Sequence, residues 1–146
     1  MRPEIQIRPA ADEDEQTIFA FICDLEEITF DFELFRQYYR QNIAEKNNVY
    51  LVAIDSNGRI AGYLSCHGQL LLHHLGMVYE IQEMFVDPEF RGKGIGHQLM
   101  EALETHLRDR ECRSLEVTTN AKRTLTQEFY TACGFQKTHV KFTKEI

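Results

Sequence analysis

The sequence predicts an α/β protein whose central sheet mixes antiparallel and parallel strands and carries helices on both faces. The predicted elements are a strand, two helices, three meandering strands, a helix, a strand, a helix and closing strands. Hairpins in the meander favour antiparallel pairs, whereas a strand–helix–strand connection favours a parallel pair. A length of 146 residues with 43% hydrophobic residues fits one domain over residues 1–146.

The first third of the chain predicts an edge strand followed by two helices. Ile5–Arg8 alternates apolar and polar residues and is followed by Pro9. Because proline has no N–H to donate, this pattern favours a strand at the edge of a sheet. Residues 12–25 carry one apolar stripe, and Asp12 is expected to cap that helix. Residues 32–44 predict a second helix, whose dense aromatic side chains favour packing over ligand binding.

The middle and end of the chain supply the rest of the sheet. Val49–Ile54 is apolar throughout, so apolar side chains would point to both sides of a strand. This predicts a strand that is covered on both faces. Asn57-Gly58 predicts a tight hairpin after it. The remaining predictions are strands at Ile60–His67, Met77–Val86 and Leu115–Thr119, helices at Gly94–Leu107 and Leu125–Cys133, and one or two closing strands within Phe135–Phe142.

Composition excludes several functional classes. With 16 basic and 23 acidic residues, the net charge of −7 disfavours general binding to nucleic acid or to anionic membranes. No apolar run approaches the roughly 18 residues of a membrane-spanning helix, and no signal peptide is visible. Four scattered cysteines without a CxxC pair favour reduced thiols, so we expect a cytoplasmic protein.

The most informative segment follows the predicted strand that ends at Val86. Here Arg91-Gly92-Lys93-Gly94-Ile95-Gly96 opens a helix. The first turn of a helix has unpaired N–H groups and partial positive charge, and glycine lets an anion approach that backbone closely. The spacing fits neither G-x-x-x-x-G-K-[ST] nor the dinucleotide pattern G-x-G-x-x-G, so a nicotinamide-dependent enzyme is disfavoured.

This segment resembles the R/Q-x-x-G-x-G/A motif of the GCN5-related N-acetyltransferases (GNAT), and the element order agrees with that fold. Asn120 and Tyr130, ten residues apart, resemble the family's second coenzyme A (CoA) motif. The resemblance implies acetyl-CoA as cosubstrate. It assigns CoA binding to Met84, Phe85, Val86, Arg91, Gly92, Lys93, Gly94, Ile95, Gly96, Asn120 and Arg123.

The same resemblance implies how the acetyl group would be transferred. Glu80 becomes the general base for the amine, and Tyr130 becomes the acid for the departing thiolate. A backbone N–H near Phe85 or Val86 would polarise the thioester carbonyl. From the residues alone, Glu80 also fits a solvated strand carboxylate, and Tyr130 also fits a core tyrosine.

The hydrophobic pattern of the strand ending at Val86 changes phase along its length. Met77 and Ile81 share one parity, whereas Met84 and Val86 share the other. An inserted bulge residue would explain the change and would splay the following strand to open a slot for the pantetheine arm. A strand buried on both faces would give the same pattern. On a regular strand, Glu83 would face away from Glu80.

Further residues are similar to those of aminoalkylphosphonate N-acetyltransferases, which favours a small amine carrying a phosphonate as acceptor. They lie at Leu72–His74, Gly76–Val86, Thr119–Arg123 and Phe142–Lys144. His74 and Glu80 are candidate substrate contacts, with His73 and His74 on opposite faces of a strand. The candidates for a basic pocket are Arg36, Arg40, His73 and Lys141.

Several functional points stay open at this stage. Lys122 and Arg123 are expected either at the adenosine phosphates, at an anionic acceptor or simply in solvent. No metal site is assigned, although a divalent metal near His74 and Glu80 stays possible, as does a homodimer. A protein N-terminus, a polyamine or an amino sugar as acceptor, and a CoA-binding sensor without turnover, are the alternatives.

Overall fold

The computed structural model describes residues 4–146, and its five strands form one sheet in chain order. The three strand pairs from β1 to β4 are antiparallel, and β4 pairs with β5 in parallel. The mixed sheet expected from the sequence is therefore confirmed. The strands are β1 (Gln6–Pro9), β2 (Asn48–Ile54), β3 (Ile60–Leu71), β4 (Gly76–Val86) and β5 (Cys112–Val117).

Four helices cover the two faces of the sheet. Side chains of α1 (Glu15–Glu26) and α2 (Phe32–Ala44) pack on one face, and those of α3 (Ile95–Arg108) and α4 (Thr124–Ala132) pack on the other. We call these the α1/α2 face and the α3/α4 face. None of the helices within residues 4–146 combines the length and the hydropathy of a membrane-spanning segment.

Most local predictions agree with the structure. β1 lies at a sheet edge, residues 49–53 of β2 are all buried, and α2 has the predicted bounds. The cap predicted at Asp12 is wrong, because residues 12–14 form a 3₁₀ turn before α1. The carboxylate of Asp14 instead accepts the Ala11 N–H at 2.8 Å and pairs with Arg8 at 2.8 Å.

The closing strands predicted within residues 135–142 are absent. α4 ends before Gly134, whose φ of 96° suits glycine, and residues 136–146 belong to no helix or strand. Val140 and Phe142 are 80% and 92% exposed. The alternation that predicted a strand is present in the sequence, but no neighbouring strand of the described chain pairs with it.

A bulge in β4 changes which side chains face the α1/α2 helices. Ser65 pairs with Glu83 and Cys66 pairs with Ile81, so Gln82 is an extra residue in β4. The predicted bulge is confirmed, and it brings Glu80 and Glu83 onto the same face. The expectation that they point in opposite directions is wrong, because it assumed a regular strand.

The parallel pairing of β4 with β5 stops beside this bulge. The last paired residues are Ile81 and Val117, where β5 ends, while β4 continues to Val86. The edge of β4 beyond Ile81 is therefore unpaired on the β5 side. This opening between β4 and β5, which we call the β4/β5 opening, agrees with the slot predicted from the sequence.

Candidate active site

The loop before α3 presents unpaired backbone donors. Gly92 and Gly94 have φ angles of 77° and 80°, which favour glycine, and α3 begins at Ile95. The N–H groups of residues 92–97 donate no hydrogen bond to any acceptor within residues 4–146. Consecutive free amides at the start of a 14-residue helix can bind an anion such as a diphosphate, and the predicted CoA contacts of this loop stay a prediction.

Close packing fixes this loop against α4. A Cβ atom placed on Gly96 would lie 3.1 Å from Cζ of Phe129 and 3.9 Å from Cε of Met84. A larger residue at position 96 would therefore push α4 away from α3. The glycine keeps the aromatic side chain of α4 in contact with the start of α3.

The two cations of the loop lie along the end of β4. Nε of Arg91 donates to the carbonyl of Val86 at 2.9 Å, and its guanidinium stands 5.3 Å from the centre of the Phe85 ring. Nζ of Lys93 lies 5.5 Å from the centre of the Phe90 ring. Arg91 therefore lies against the end of β4, and Lys93 lies over the 3₁₀ turn Pro88–Phe90 that follows it.

The Gly92→Val substitution is expected to weaken CoA binding about tenfold, because a side chain at φ 77° costs roughly 1–2 kcal/mol and shifts the loop amides. Gly58→Val is the matched control, because Gly58 has a φ of 80° in the β2–β3 hairpin and also has open space around it. Calorimetric titration with CoA measures both dissociation constants. Equal dissociation constants for the two variants would contradict the role of the loop.

Alternation along the end of β4 decides which backbone groups face the β4/β5 opening. The N–H of Asp87 donates to the carbonyl of Ala61 in β3 at 2.9 Å, and the Phe85 carbonyl also lies close to β3, beside Gly62. The intervening residues Val86 and Met84 therefore direct their amides toward the opening. Of the predicted carbonyl-polarising groups, Val86 is placed there, and Phe85 is not.

The side chain of Tyr130 combines a buried ring with an accessible hydroxyl. The residue is 7% exposed, and its ring packs edge-on against Phe129 and Phe135. Its hydroxyl makes no hydrogen bond within residues 4–146, yet it is not among the buried unpaired oxygens, so solvent or a ligand can reach it. Burial raises the pKa of Tyr130 to about 12, so the phenol stays protonated at neutral pH.

Asn120 shapes the turn that leads into α4. Its side-chain Oδ1 accepts the N–H of Lys122 at 2.9 Å, and its carbonyl accepts the N–H of Arg123 at 2.9 Å. The predicted CoA contact of Asn120 stays a prediction. The structure assigns its side chain to the turn that places Tyr130 at the far end of α4.

On the α1/α2 face, Glu80 lies beside the start of the β4/β5 opening. Its Oε2 accepts a hydrogen bond from Oγ1 of Thr118, just past the end of β5, at 3.1 Å. Its Oε1 accepts a hydrogen bond from Nε2 of the bulge residue Gln82 at 3.3 Å. The carboxylate is half-buried, so it can both reach a bound amine and exchange a proton with water.

The second carboxylate, Glu83, is held by hydroxyl groups that the sequence did not point to. Its Oε1 accepts hydrogen bonds from Ser65 Oγ and from the Tyr63 hydroxyl, the latter at 3.1 Å. His67, paired with Glu80 across the strands, lies 2.7 Å from the Tyr50 hydroxyl through Nε2. Burial lowers the pKa of His67, although Glu83 and Glu80 oppose that effect.

A groove lies between the end of α1 and the end of β4. Its volume is about 470 Å³, and its lining includes Asp24, Glu27, Phe85 and Arg91. Beside it, Nη2 of Arg123 donates to the carbonyl of Leu25 at 2.9 Å and so joins the start of α4 to the end of α1. Arg123 therefore lies on the α1 side of the site.

The structure does not bring His74 to Glu80. His73 and His74 lie in a 3₁₀ turn between β3 and β4 with rings 4.5 Å apart, so placing them on opposite faces of a strand was wrong. Glu80 lies about 13 Å along β4 from Gly76, the first residue after this turn. Within residues 4–146, no three His, Cys, Asp or Glu side chains are grouped to hold a metal ion.

The predicted basic pocket does not form. Arg36 and Arg40 share Glu15, at 3.2 and 3.0 Å, and each also pairs with a second carboxylate, Glu33 at 3.9 Å and Asp12 at 3.8 Å respectively, so their charges are already matched. Lys141 lies in the exposed segment after α4 and does not line the groove. The arginines next to the candidate site are instead Arg91 and Arg123.

Residues 15–135 match the model of the acetyltransferase (GNAT) family. The chain belongs to the GNAT acetyltransferases. This GNAT enzyme is therefore an N-acetyltransferase that uses acetyl-CoA. It is 35% identical over 144 residues to the aminoalkylphosphonate N-acetyltransferase of Salmonella typhimurium, covering 99% of this chain and 93% of that protein.

Solved structures confirm the GNAT fold of this acetyltransferase. A protein from Bacillus halodurans described as a transcriptional regulator superposes with a TM-score of 0.89 at 22% identity, covering 98% of this chain and all of that one. The aminoglycoside N-acetyltransferase AAC(6')-Iy, solved with CoA, superposes with a TM-score of 0.86 at 18% identity. The superposition covers 99% of this chain and 97% of that one.

Proposed function

We propose that this GNAT enzyme acetylates the primary amine of a small aminoalkylphosphonate. The observation that carries the transfer step of this proposal is the β4/β5 opening. The free amides of residues 92–97 lie at the end of β4, and the Tyr130 hydroxyl is accessible on the α3/α4 face. Glu80 borders the same opening on the α1/α2 face, so a thioester and an amine can meet there from opposite sides.

The residues around the opening match the three requirements of acetyl transfer to an amine. Acetyl-CoA supplies the reactive thioester when it is bound. Glu80 accepts the proton that leaves the ammonium, whose ordinary pKa is near 10. The Val86 N–H can donate to the carbonyl oxygen, and Tyr130 can donate to the departing sulfur. No cysteine is required as a nucleophile, because the amine attacks directly.

The groove supports an acceptor that carries both charges. Asp24 and Glu27 can attract an ammonium group, while Arg123, bound to the Leu25 carbonyl beside the groove, supplies a cation for the phosphonate. The 35% identical Salmonella protein is named for this acceptor class, which adds support.

The four cysteines are free thiols, which supports our further proposal of a cytoplasmic protein.

An acceptor screen tests the proposal. Thiol release from acetyl-CoA is followed with aminomethylphosphonate, aminoethylphosphonate, ethylamine, spermidine, glucosamine and an N-terminal peptide, each with and without a divalent metal. We expect aminophosphonates to give a kcat/KM at least tenfold above that of ethylamine, because ethylamine lacks the anionic group. A higher value for any other acceptor overturns the assignment, and CoA binding without turnover indicates a sensor.

A further inference from the structure

One polar side chain on the α1/α2 face, His67 of β3, takes no part in the proposed acetyl transfer. His67 is paired across the strands with Glu80 of β4, so the two side chains leave the sheet on the same face. Neighbouring strands lie about 4.8 Å apart, so a small molecule bound at the Glu80 carboxylate also has the imidazole within its reach. His67 is half-buried, and its ring centre lies 5.6 Å from that of Tyr50. It therefore belongs to the surface on which the acceptor amine is expected.

A chain of hydrogen bonds fixes where the imidazole of His67 carries its proton. Nδ2 of Asn42 donates to the Tyr50 hydroxyl at 3.0 Å, and that hydroxyl lies 2.7 Å from Nε2 of His67. Burial raises the pKa of Tyr50, so the phenol keeps its single proton. Because the bond from Asn42 already uses an acceptor site of the hydroxyl oxygen, the Tyr50 proton points to Nε2. Burial also lowers the pKa of His67, so the ring is neutral and carries its proton on Nδ1.

The Nδ1–H group of His67 is a free donor. It makes no hydrogen bond within residues 4–146, and Nδ1 is not among the buried unpaired atoms, so a ligand can reach it. Neither neighbouring carboxylate takes this proton. Both oxygens of Glu80 accept hydrogen bonds from other side chains, and Glu83 is held by two hydroxyl groups. The α1/α2 face thus presents an oriented N–H donor beside the proposed base.

An aminoalkylphosphonate has suitable dimensions to contact both groups. Its amine and its phosphonate oxygens are separated only by a C–P or C–C–P unit, which suits the spacing of about 4.8 Å between β4 and β3. With the ammonium at Glu80, a phosphonate oxygen can accept the Nδ1–H of His67. The ammonium offsets the charge of Glu80, and two hydroxyl donors offset part of the charge of Glu83, so an anion can approach the imidazole.

We propose that His67 is a specificity-determining residue, which donates its Nδ1–H to a phosphonate oxygen of the acceptor. The inference rests on the proposed function, because it names the residue that recognises the phosphonate once the amine lies at Glu80. Arg123 attracts the same anionic group from solution over a longer distance, whereas the fixed imidazole selects its position.

Two amide variants, His67→Asn and His67→Gln, test this role. The amide nitrogen of asparagine can take the place of Nδ1, whereas the glutamine amide reaches the place of Nε2 and keeps only the bond with Tyr50. We expect His67→Gln to lower kcat/KM for aminoethylphosphonate about 30-fold, as the loss of a hydrogen bond to a charged group does, and His67→Asn to lower it less than about fivefold. A purely structural role predicts the opposite order, because only glutamine keeps the contact with Tyr50.

Ethylamine and CoA supply the controls, and thermal unfolding establishes that both variants are folded. We expect kcat/KM for ethylamine and the Kd for CoA to stay within about twofold of the wild type, because neither ligand carries a phosphonate to place at His67. A larger loss in His67→Asn than in His67→Gln, or an equal loss with ethylamine, would overturn the assignment.

The same measurements separate this inference from the proposed function. A wild type that prefers ethylamine overturns the proposed acceptor and the role of His67 with it. A wild type that prefers aminoethylphosphonate, together with a His67→Gln variant that keeps this preference, overturns only the role of His67.

Discussion

The Tyr130→Phe enzyme is expected to lose about 100-fold in kcat, the lower end of what a positioned acid contributes, while its Kd for CoA stays within twofold of the wild type. The substitution removes only the accessible hydroxyl and keeps the ring that packs against Phe129 and Phe135. Because burial raises the pKa of Tyr130 to about 12, the wild-type hydroxyl remains a donor up to about pH 11. Stopped-flow thiol release and calorimetry give the two quantities separately.

Tyr38→Phe is the control for the loss of a tyrosine hydroxyl. Tyr38 is 54% exposed on α2, outside β4, β5 and the loop before α3, so the kcat of this variant should match that of the wild type. An unchanged kcat for Tyr130→Phe, or an equal loss in kcat and in CoA affinity, would rule out a specific role in expelling the thiolate.

The Glu80→Gln enzyme is expected to lose about 100-fold in kcat/KM at pH 7 and much less at pH 9.5. An amine with a pKa near 10 is almost entirely protonated at pH 7, so the wild type depends on a base to remove the proton. Each unit of rising pH supplies about ten times more free amine, which the variant can use without a base. The ratio of the two rates should therefore shrink as pH rises.

Glu83→Gln separates the two carboxylates that the bulge places on one face. Glu83 is already bound by Ser65 and Tyr63, so we expect its loss to lower the free energy of unfolding more than it lowers kcat/KM. If Glu83→Gln shows the larger, pH-dependent loss of activity instead, the base is Glu83. If the loss in Glu80→Gln does not vary with pH, Glu80 does not remove the amine proton.

Local sequence signals predicted much of the fold. The Asn57-Gly58 turn, the limits of α2 and the four-residue apolar spacing of α3 depend on neighbours within a few positions. Residues 136–146, after α4, show where prediction from local signals fails. Their alternating residues describe a strand-like pattern, but strand pairing depends on which edge lies beside it, and no local pattern specifies that edge.

In the candidate site too, one part was predictable from neighbouring residues and another part was not. The loop from Arg91 to Gly96 was predictable because its glycines, cations and helix start are consecutive. Glu83 and His67 were missed because their environment depends on cross-strand register, which the bulge at Gln82 shifts by one position. The available signal was the shift of the apolar pattern between Ile81 and Met84, which indicates a bulge. A bulge at that point turns Glu83 onto the face of Glu80, so this signal would have identified the second carboxylate.

The bulge has a consequence for how this chain can tolerate insertions and deletions. Removing Gln82 would restore uninterrupted pairing with β3, with Ile81 still opposite Cys66 and Glu83 still opposite Ser65. Each half of β4 would keep its present face, so Tyr79 and Ile81 would stay in the apolar interior. Deleting the exposed Gln82 would remove the local distortion beside the β4/β5 opening, so the deletion is expected to cost activity more than stability.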